Sequence, residues 1–166
     1  MQVAKLFLEF ERCFAENGGT LGLHHSKSPS RRVAVVDDSI DMRKLLVEYL
    51  SWYGLEVLSF GKVSDALDFL LSGENSVDLI LCDLNFPEEN GLSLIQALRS
   101  HRRNIPIVLM SAFADCATRC QLYEAGAVAY VNKTDGLAKI LGTVQQSMNA
   151  PLTTEEKKLN PFQVRY

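Results

Sequence analysis

The stretch that decides the fold of this chain is VDLILCDLNFPEENG, residues 77–91. Its apolar run LIL, residues 79–81, is continuous rather than alternating, which predicts a strand buried on both faces of a sheet. Asp83 follows that run, and open α/β sheets bind their ligands at the carboxyl ends of such strands. Pro87 and Gly91 shape the loop that comes next, because proline fixes φ and glycine admits backbone geometry closed to other residues. The stretch indicates a site at Asp83, although a lone aspartate there is also typical of a helix N-cap or an Asx turn.

Outward from this stretch, apolar strands alternate with helical segments through short connections from residue 31 onward. The predicted strands are 33–36, 55–60, 77–82, 105–110 and 127–131, and the predicted helices are 39–53, 62–72, 92–101, 114–125 and 136–148. Gly54, Gly73 and Gly126 follow three of these helices, as expected of residues that end a helix. Five strand-helix units without an internal repeat predict an α/β fold, a doubly wound five-stranded parallel sheet with helices on both faces.

Composition places the chain among globular proteins and argues against two kinds of partner. The 166 residues are 47% hydrophobic, enough for one domain with a core and short extensions. Seventeen basic and twenty acidic residues give a net charge of -3 without a long block of one sign, so no direct binding to nucleic acid or a membrane surface is expected. The basic cluster at residues 99–103 is expected only to end a helix, where cations are favoured.

The cysteines and the N-terminus both predict a cytoplasmic location. Four cysteines lack CxxC spacing and lie mostly in apolar or helical segments, as buried thiols do in a reducing compartment; they are Cys13, Cys82, Cys116 and Cys120. No apolar run approaches the roughly 18 to 20 residues that span a bilayer. Glu9, Glu11 and Arg12 interrupt the apolar N-terminus, unlike a signal peptide.

Both ends of the chain lie outside the alternating pattern. Residues 1–30 combine an amphipathic helix, predicted over 3–16 with an apolar face that needs a partner, and a linker at SKSPS, residues 26–30. Between them GGTLGL, residues 18–23, faintly resembles the glycine-rich nucleotide lid of sensor histidine kinases but lacks its middle glycine. The domain is therefore assigned to residues 31–149. Residues 150–166 form a polar tail, too short for a domain of about 50 residues.

Polar side chains follow four of the five predicted strands. They are Asp37 and Asp38 after the first, Asp83 after the third, Ser111 after the fourth, and Asn132 and Lys133 after the fifth. Clustered carboxylates repel one another without a cation, and hard oxygen ligands with room for water are what Mg²⁺ prefers, so a magnesium site is predicted. An ammonium and a hydroxyl are good partners for phosphoryl oxygens, which favours an aspartyl phosphate. Each residue alone has a plainer interpretation as a cap, a turn or a surface residue, but the set indicates one shared site.

The pattern also resembles a known family over residues 31–149. The motifs that carry the likeness are Asp37-Asp38, D-x-N-x-P-x-x-x-G from Asp83 to Gly91, Ser111-Ala112, and Tyr130 three residues before Lys133. They resemble the receiver domain of bacterial two-component response regulators, the CheY-like fold. This resemblance implies the strand order 2-1-3-4-5. It also implies a switch rather than a metabolic enzyme, phosphorylated by a histidine kinase or a histidine phosphotransfer protein, that regulates an unidentified output protein through the surface of its fourth helix, fifth strand and fifth helix.

The resemblance further implies a role for each site residue. Asp83 would be the phosphoacceptor and a metal ligand, Asp38 a direct metal ligand, Asp37 a ligand through water, and the backbone carbonyl of Asn85 another ligand. The phosphoryl oxygens would be held by Ser111 and Lys133. Tyr130 would be the aromatic switch, turning inward when Ser111 is drawn to the phosphoryl group.

Two departures from the family pattern bear on this assignment. Thr134 stands where the family usually has a proline in a cis bond, and a cis bond before another residue costs about 3 to 4 kcal/mol, so a looser trans loop at Lys133 is expected. Phe113 stands where receivers often carry a polar side chain that orients the hydrolytic water, and slow loss of the phosphoryl group is expected.

Three other functions are alternatives to the receiver. A haloacid-dehalogenase-type phosphatase or phosphotransferase would carry a second aspartate two residues after the first, where this chain has Asn85. A flavin-binding module would need a hydroxyl-rich or glycine-rich loop after the first strand, where this chain has Asp37 and Asp38. The third rival, a pseudo-receiver that only binds a partner and is not phosphorylated, is left open by Thr134.

Overall fold

The computed structural model describes residues 2–16, 31–72, 76–87, 90–101, 103–113 and 115–149. The predicted linker at 26–30, the glycine-rich segment at 18–23 and the tail at 150–166 lie outside these ranges. Among the residues described, none of the helices has both the length and the apolar character needed to cross a bilayer.

A leading helix is followed by five strands that alternate with helices. In chain order the elements are α1 (Gln2–Glu16), β1 (Arg32–Val36), α2 (Ile40–Trp52), β2 (Glu56–Phe60), α3 (Val63–Leu71), β3 (Leu79–Asp83), α4 (Gly91–Ser100), β4 (Ile107–Ser111), α5 (Cys116–Glu124), β5 (Ala129–Asn132), the 3₁₀ turn η1 (Lys133–Asp135) and α6 (Leu137–Asn149). Every predicted element within the described ranges is present. Gly54 and Gly126 follow α2 and α5 with φ of +82° and +107°, the left-handed geometry that glycine favours, whereas Gly73 lies outside the described residues.

The five strands form one parallel sheet in the order β2-β1-β3-β4-β5. This confirms the predicted fold class and strand order. β3 lies at the centre, and all five of its residues are buried, as its continuous apolar run predicts. The register pairs Val36 with Cys82 and Asp83 with Met110, so the strand ends that carry the polar residues meet at one edge of the sheet.

The starts of three strands, the third, fourth and fifth, were predicted two residues too early. The fifth was predicted from residue 127 but begins at Ala129. Val77 and Ile105 are apolar and were included in the third and fourth strands, but pairing begins at Leu79 and Ile107. Val77 is buried and Ile105 is half-buried against the apolar layer around β3. These residues are therefore apolar because they are packed in the segment just before each strand, not because they pair with a neighbouring strand.

Each face of the sheet carries its own apolar layer, because successive side chains of a strand point to opposite faces. On β1, Val33 and Val35 belong to the layer under α2 and α6, whereas Ala34 and Val36 belong to the layer under α3 and α4. Helices therefore cover both faces, as predicted.

The leading helix α1 packs on the first of these layers and contacts α2 and α6. Leu6 is buried there, and the ring of Phe10 meets Tyr49 and Trp52 edge to face, with centroid distances of 6.0 and 6.1 Å. The predicted amphipathic helix is confirmed, and the partner of its apolar face is the domain that follows.

The prediction that the cysteines are buried is wrong for one of them. Cys82 on β3 is buried, but Cys120 on α5 is exposed. Leu122 is the buried residue nearby on the same helix, and a residue two positions away points about 200° around a helix axis. Burial of Leu122 therefore turns Cys120 outward.

Candidate functional site

Three carboxylates converge at the carboxyl edge of the sheet. Asp37 and Asp38 follow β1, and Asp83 is the last residue of the neighbouring strand β3. One oxygen of each carboxylate lies within 4.8 Å of the others. Asp37 is fully buried and Asp83 is 5% exposed, whereas Asp38 is exposed at the rim. The predicted acid cluster is therefore brought together in a pocket that opens to solvent on the Asp38 side.

Lys133, which lies at the end of the edge strand β5, contacts two of these acids. It follows β5, and its Nζ lies 2.7 Å from Oδ2 of Asp37 and 2.8 Å from Oδ2 of Asp83. Its side chain is 13% exposed. The peptide bond between Lys133 and Thr134 is trans, and η1 carries the chain from Lys133 into α6. The ammonium and the acids thus form a shared, partly buried ionic group.

Burial and charge act in opposite directions on the protonation of this group. Burial raises the pKa of Asp37, the charge and hydrogen bond of Lys133 oppose that rise, and the nearby charge of Asp83 adds to it. The pKa of Lys133 is raised, because the charges and hydrogen bonds of Asp37 and Asp83 outweigh the burial that disfavours its ammonium. Lys133 is therefore held as a cation at neutral pH.

Ser111 ends β4, and its hydroxyl is held by the loop that follows. The Oγ atom donates to the carbonyl of Phe113 at 2.8 Å and accepts from the amide N–H of Phe113 at 3.2 Å. It also accepts from Nδ2 of Asn85 at 3.2 Å. Tyr130 on β5 is half-buried, and its hydroxyl donates to the carbonyl of Ser111 at 3.5 Å. Two of the predicted site residues, Asn85 and Ser111, are thus linked directly across the pocket.

The loop after β3 requires glycine at its end. A Cβ on Gly91 would lie 2.2 Å from the carbonyl oxygen of Asp83, closer than two such atoms approach, so no other side chain fits there. Asn90 caps α4 by accepting from the N–H of Leu92 at 2.9 Å, and the N–H of Gly91 donates to the carbonyl of Leu84 at 3.0 Å. The glycine of the D-x-N-x-P-x-x-x-G pattern therefore brings α4 directly against the backbone of the site.

Arg43 is a site neighbour that the sequence-based prediction missed. It lies on α2, and its guanidinium donates to the backbone carbonyls of both Asp37 and Asp38. A signal was present in the sequence: Arg43 is a cation near the start of a helix, where the helix dipole disfavours positive charge. Such a residue needs a partner to offset that cost, and the acid pair lies just before the helix.

The donor set fits a magnesium ion. Three carboxylates and one ammonium leave an excess of negative charge in a pocket whose acidic ligands are all hard oxygens. Mg²⁺ prefers such oxygens and keeps several waters, which the exposed side of the cluster at Asp38 admits. The residues that could hold the ion are Asp37, Asp38, Asp83 and the carbonyl of Asn85.

Comparisons with known proteins agree with this geometry. The family described as the response regulator receiver domain matches residues 33–145. The chain is 34% identical over 117 residues to the transcriptional regulatory protein GltR of Pseudomonas aeruginosa, covering 69% of this chain and 48% of that protein. It is 32% identical over 135 residues to the transcriptional regulatory protein PhoP of Escherichia coli, covering 80% of this chain and 60% of that protein. The match thus spans about half of GltR and three fifths of PhoP.

Solved structures show the same fold. A response regulator receiver protein from Pseudomonas putida matches with a TM-score of 0.66 at 27% identity, covering 72% of this chain and 98% of that one. A CheY-like receiver domain protein from Methanospirillum hungatei matches with a TM-score of 0.66 at 20% identity, covering 72% of this chain and 94% of that one.

The chain belongs to the response regulator receiver domain family, the phosphoacceptor modules of two-component signalling. The receiver prediction is confirmed. The alternative of a pseudo-receiver gains no support from the described site. A pseudo-receiver does not need the acids, the hydroxyl and the lysine for phosphorylation, yet all of them are present and lie together in this chain.

Proposed function

We propose that Asp83 accepts a phosphoryl group from a histidine kinase or a histidine phosphotransfer protein. The observation that carries this proposal is the position of its carboxylate, which ends the central strand with Lys133 at 2.8 Å and two further acids within reach of one cation. A carboxylate held beside an ammonium is suited to attack phosphorus, because the ammonium offsets the negative charge of the phosphoryl oxygens, and a cation bound by the acids would add to that effect.

The transfer conserves atoms and charge. An oxygen of Asp83 forms a bond to phosphorus as the bond between phosphorus and the donor's histidine nitrogen breaks, and the released imidazole takes up a proton from solvent. Lys133 then pairs with a phosphoryl oxygen in place of the carboxylate oxygen that it contacts here. Its second partner, Asp37, keeps the ammonium at the site throughout.

Mg²⁺ is proposed as the cofactor, and its chemistry is to neutralise the phosphoryl oxygens. Asp38 and Asp83 would bind it directly, with the backbone carbonyl of Asn85, and Asp37 would act through water. Two observations support this division of roles. Asp38 is exposed to solvent, and both carboxylate oxygens of Asp37 already accept hydrogen bonds, from Lys133 and from the N–H of Ser39, which leaves Asp37 less free to bind a metal directly.

The switch is proposed to run through Ser111 and Tyr130. Phosphorylation would draw the Ser111 hydroxyl from the carbonyl of Phe113 toward the phosphoryl group, and the ring of Tyr130 would turn inward as the loop moves. The face so changed consists of α5, β5 and α6, on which the ring of Tyr123 is exposed. We propose a regulatory protein as that partner, with no direct contact between this chain and nucleic acid, and a role as a switch rather than a metabolic enzyme.

The domain organisation is proposed to follow the sequence boundaries, with one addition. The phosphoacceptor unit is residues 31–149, and α1 of the segment 1–30 is an accessory helix docked on α2 and α6. Residues 150–166 are proposed to be a polar tail that follows this unit.

The experiment that tests the proposal is phosphoryl uptake from a small donor such as acetyl phosphate. The full chain is incubated with the donor, with Mg²⁺ or with a chelator, and incorporation is followed by intact mass. We expect one phosphoryl group per chain only when Mg²⁺ is present. A chain that remains unmodified in saturating donor and Mg²⁺ would refute phosphoacceptor function.

A further inference from the structure

Arg43 makes two contacts with the backbone that carries the acid pair. Its Nη1 atom donates to the carbonyl oxygen of Asp37 and, at 3.0 Å, to the carbonyl oxygen of Asp38. These carbonyls belong to the two peptide units on either side of Asp38, so one guanidinium nitrogen holds the backbone both before and after that residue. The Arg43 side chain is half-buried rather than free in solvent.

The guanidinium occupies a place that the neighbouring strand leaves open for it. Gly61 follows β2, and a Cβ there would lie 3.0 Å from Nη1 and 3.2 Å from Cζ of Arg43. Gly61 is not among the described glycines with positive φ, so the space it leaves matters more than its backbone freedom. The end of β2 also contacts the turn directly, because the N–H of Asp37 donates to the carbonyl of Phe60 at 3.1 Å.

Arg43 is not needed to start the helix on which it lies. Ser39 is the N-cap of α2, and its hydroxyl accepts from the N–H of Met42 at 3.3 Å. A cation near the start of a helix is, moreover, disfavoured by the helix dipole. The contacts of Arg43 with Asp37 and Asp38 therefore serve the turn before the helix rather than the helix itself.

We propose that Arg43 is a positioning residue of the metal site, which orders the backbone of Asp37 and Asp38 so that their carboxylates converge with Asp83. Asp38 has the most to gain, because its exposed side chain is not fixed by packing and its direction depends on the backbone. Groups that orient metal ligands in this way strongly affect metal affinity. The inference rests on the proposed Mg²⁺ site and adds the residue that arranges it.

Charge and positioning predict opposite effects of removing Arg43, which makes the inference testable. A guanidinium close to the site repels a divalent cation, so if charge alone mattered Arg43→Ala would bind Mg²⁺ more tightly. If positioning dominates, Arg43→Ala binds Mg²⁺ more weakly. Lys44 is the matched control, since it is an exposed cation at the next position of α2 and Lys44→Ala removes the same charge.

Two further variants separate geometry from charge. Arg43→Lys keeps the charge but replaces the forked guanidinium with a single ammonium, which is not expected to reach both carbonyls in the same geometry. Gly61→Ala keeps Arg43 but places a methyl group 3.0 Å from its Nη1 atom, so the guanidinium must shift from its present position. Both variants carry the test if Arg43→Ala does not fold.

The measurement is the dissociation constant for Mg²⁺ of the full chain, from calorimetric titration with magnesium chloride and no phosphoryl donor. Thermal unfolding in chelator serves as the check on the fold. We expect Arg43→Ala, Arg43→Lys and Gly61→Ala to weaken Mg²⁺ binding, by roughly tenfold for Arg43→Ala, and Lys44→Ala to leave it unchanged or slightly tighter.

Wild-type affinity in Arg43→Ala and Gly61→Ala, or tighter binding in both, would overturn the positioning role while leaving the proposed metal site intact. A wild-type chain that does not bind Mg²⁺ at all would instead overturn the metal site, and the role of Arg43 with it.

Discussion

The Nζ atom of Lys133 lies 2.8 Å from Oδ2 of Asp83, although the two residues are 50 positions apart in the chain. The same ammonium lies 2.7 Å from Oδ2 of Asp37, so a single cation is shared by acids from two neighbouring strands. One side chain therefore joins the ends of β1, β3 and β5 in a single ionic group. The stability of this ionic group depends on the ammonium that the two acids share.

Replacing Lys133 with methionine should make stability more sensitive to pH in metal-free buffer. Burial raises the pKa of Asp37 and Lys133 opposes the rise, so the substitution raises that pKa further. An acid whose pKa is higher in the folded than in the unfolded state adds stability that is present at low pH and is lost as pH rises through the folded pKa. The variant should therefore lose stability from acidic to neutral pH, ending about 3 kcal/mol below the wild type.

Urea unfolding at several pH values checks this prediction. Lys139→Met on the exposed side of α6 is the matched control and should follow the wild-type profile. The raised pKa of Lys133 itself acts only in alkaline solution, because its contribution is present below the ordinary lysine pKa and is lost above it. Parallel profiles for Lys133→Met and the wild type would mean that the shared ammonium does not control Asp37.

Asp38→Ala should weaken Mg²⁺ binding more than Asp37→Ala. A direct ligand contributes more than one that acts through water, and outer ligands typically change metal affinity by about 10-fold or more. Asp37 is also bound by Lys133 and by the N–H of Ser39 at 2.9 Å, so its carboxylate is already engaged. Calorimetric titration of both variants against the wild type measures the order, and equal affinities in all three would rule out the acid cluster as the metal site.

The pattern of apolar residues was sufficient to predict the fold, because strands and helices differ in the spacing of their apolar residues. The central strand is marked by a continuous apolar run that ends in Asp83, and glycines end two of the described helices. Strand starts were less certain: Val77 and Ile105 are apolar because they are packed, not because they pair. Both burial and strand pairing favour apolar residues, so only the register of the sheet shows which of these residues belong to a strand.

The residue types of the site were also predictable, but their partners were not. Position at a strand end identified Asp37, Asp83 and Lys133, because parallel strands deliver their carboxyl ends to one edge. That one ammonium serves both acids depends on side-chain reach across β3 and β4, which sequence spacing does not contain. The position of Arg43 near the start of a helix was a signal that it needs a partner, but the partners could not be identified, since they are backbone carbonyls, which every residue possesses.

Phe113→Glu should shorten the lifetime of the phosphorylated form by about tenfold, equivalent to about 1.4 kcal/mol, the size of one hydrogen bond. The backbone of Phe113 binds the Ser111 hydroxyl, so its side chain leaves the chain beside the site, and its ring is 85% exposed. A phenyl ring cannot orient a water by hydrogen bonding, whereas a carboxylate can.

The decay of phosphorylated protein after removal of the donor measures this effect. Tyr123→Glu is the matched control, since it places the same charge at another exposed aromatic position, on α5. An unchanged half-life for Phe113→Glu would show that the ring lies away from the path of the attacking water.

Phe10→Ala should lower the free energy of unfolding of the full chain by about 2 kcal/mol. Phe10 is half-buried between Tyr49 and Trp52, so the loss is smaller than the roughly 3 to 5 kcal/mol of a fully buried phenylalanine. Leu8→Ala on the same helix, at a side chain that is 67% exposed, should change stability by less than about 0.5 kcal/mol. Denaturant unfolding compares the two, and equal small effects would mean that α1 does not stabilise the domain.

The central claim is that Asp83 is the phosphoacceptor, and Asp83→Asn tests it most directly. The amide is nearly isosteric and leaves the fold intact, but it cannot act as a carboxylate nucleophile. Asp65→Asn, at an exposed position of α3, is the matched control. The measurement is phosphoryl uptake from acetyl phosphate in saturating Mg²⁺: we predict wild-type uptake in Asp65→Asn and none in Asp83→Asn, whereas uptake by Asp83→Asn at the wild-type rate would contradict the assignment.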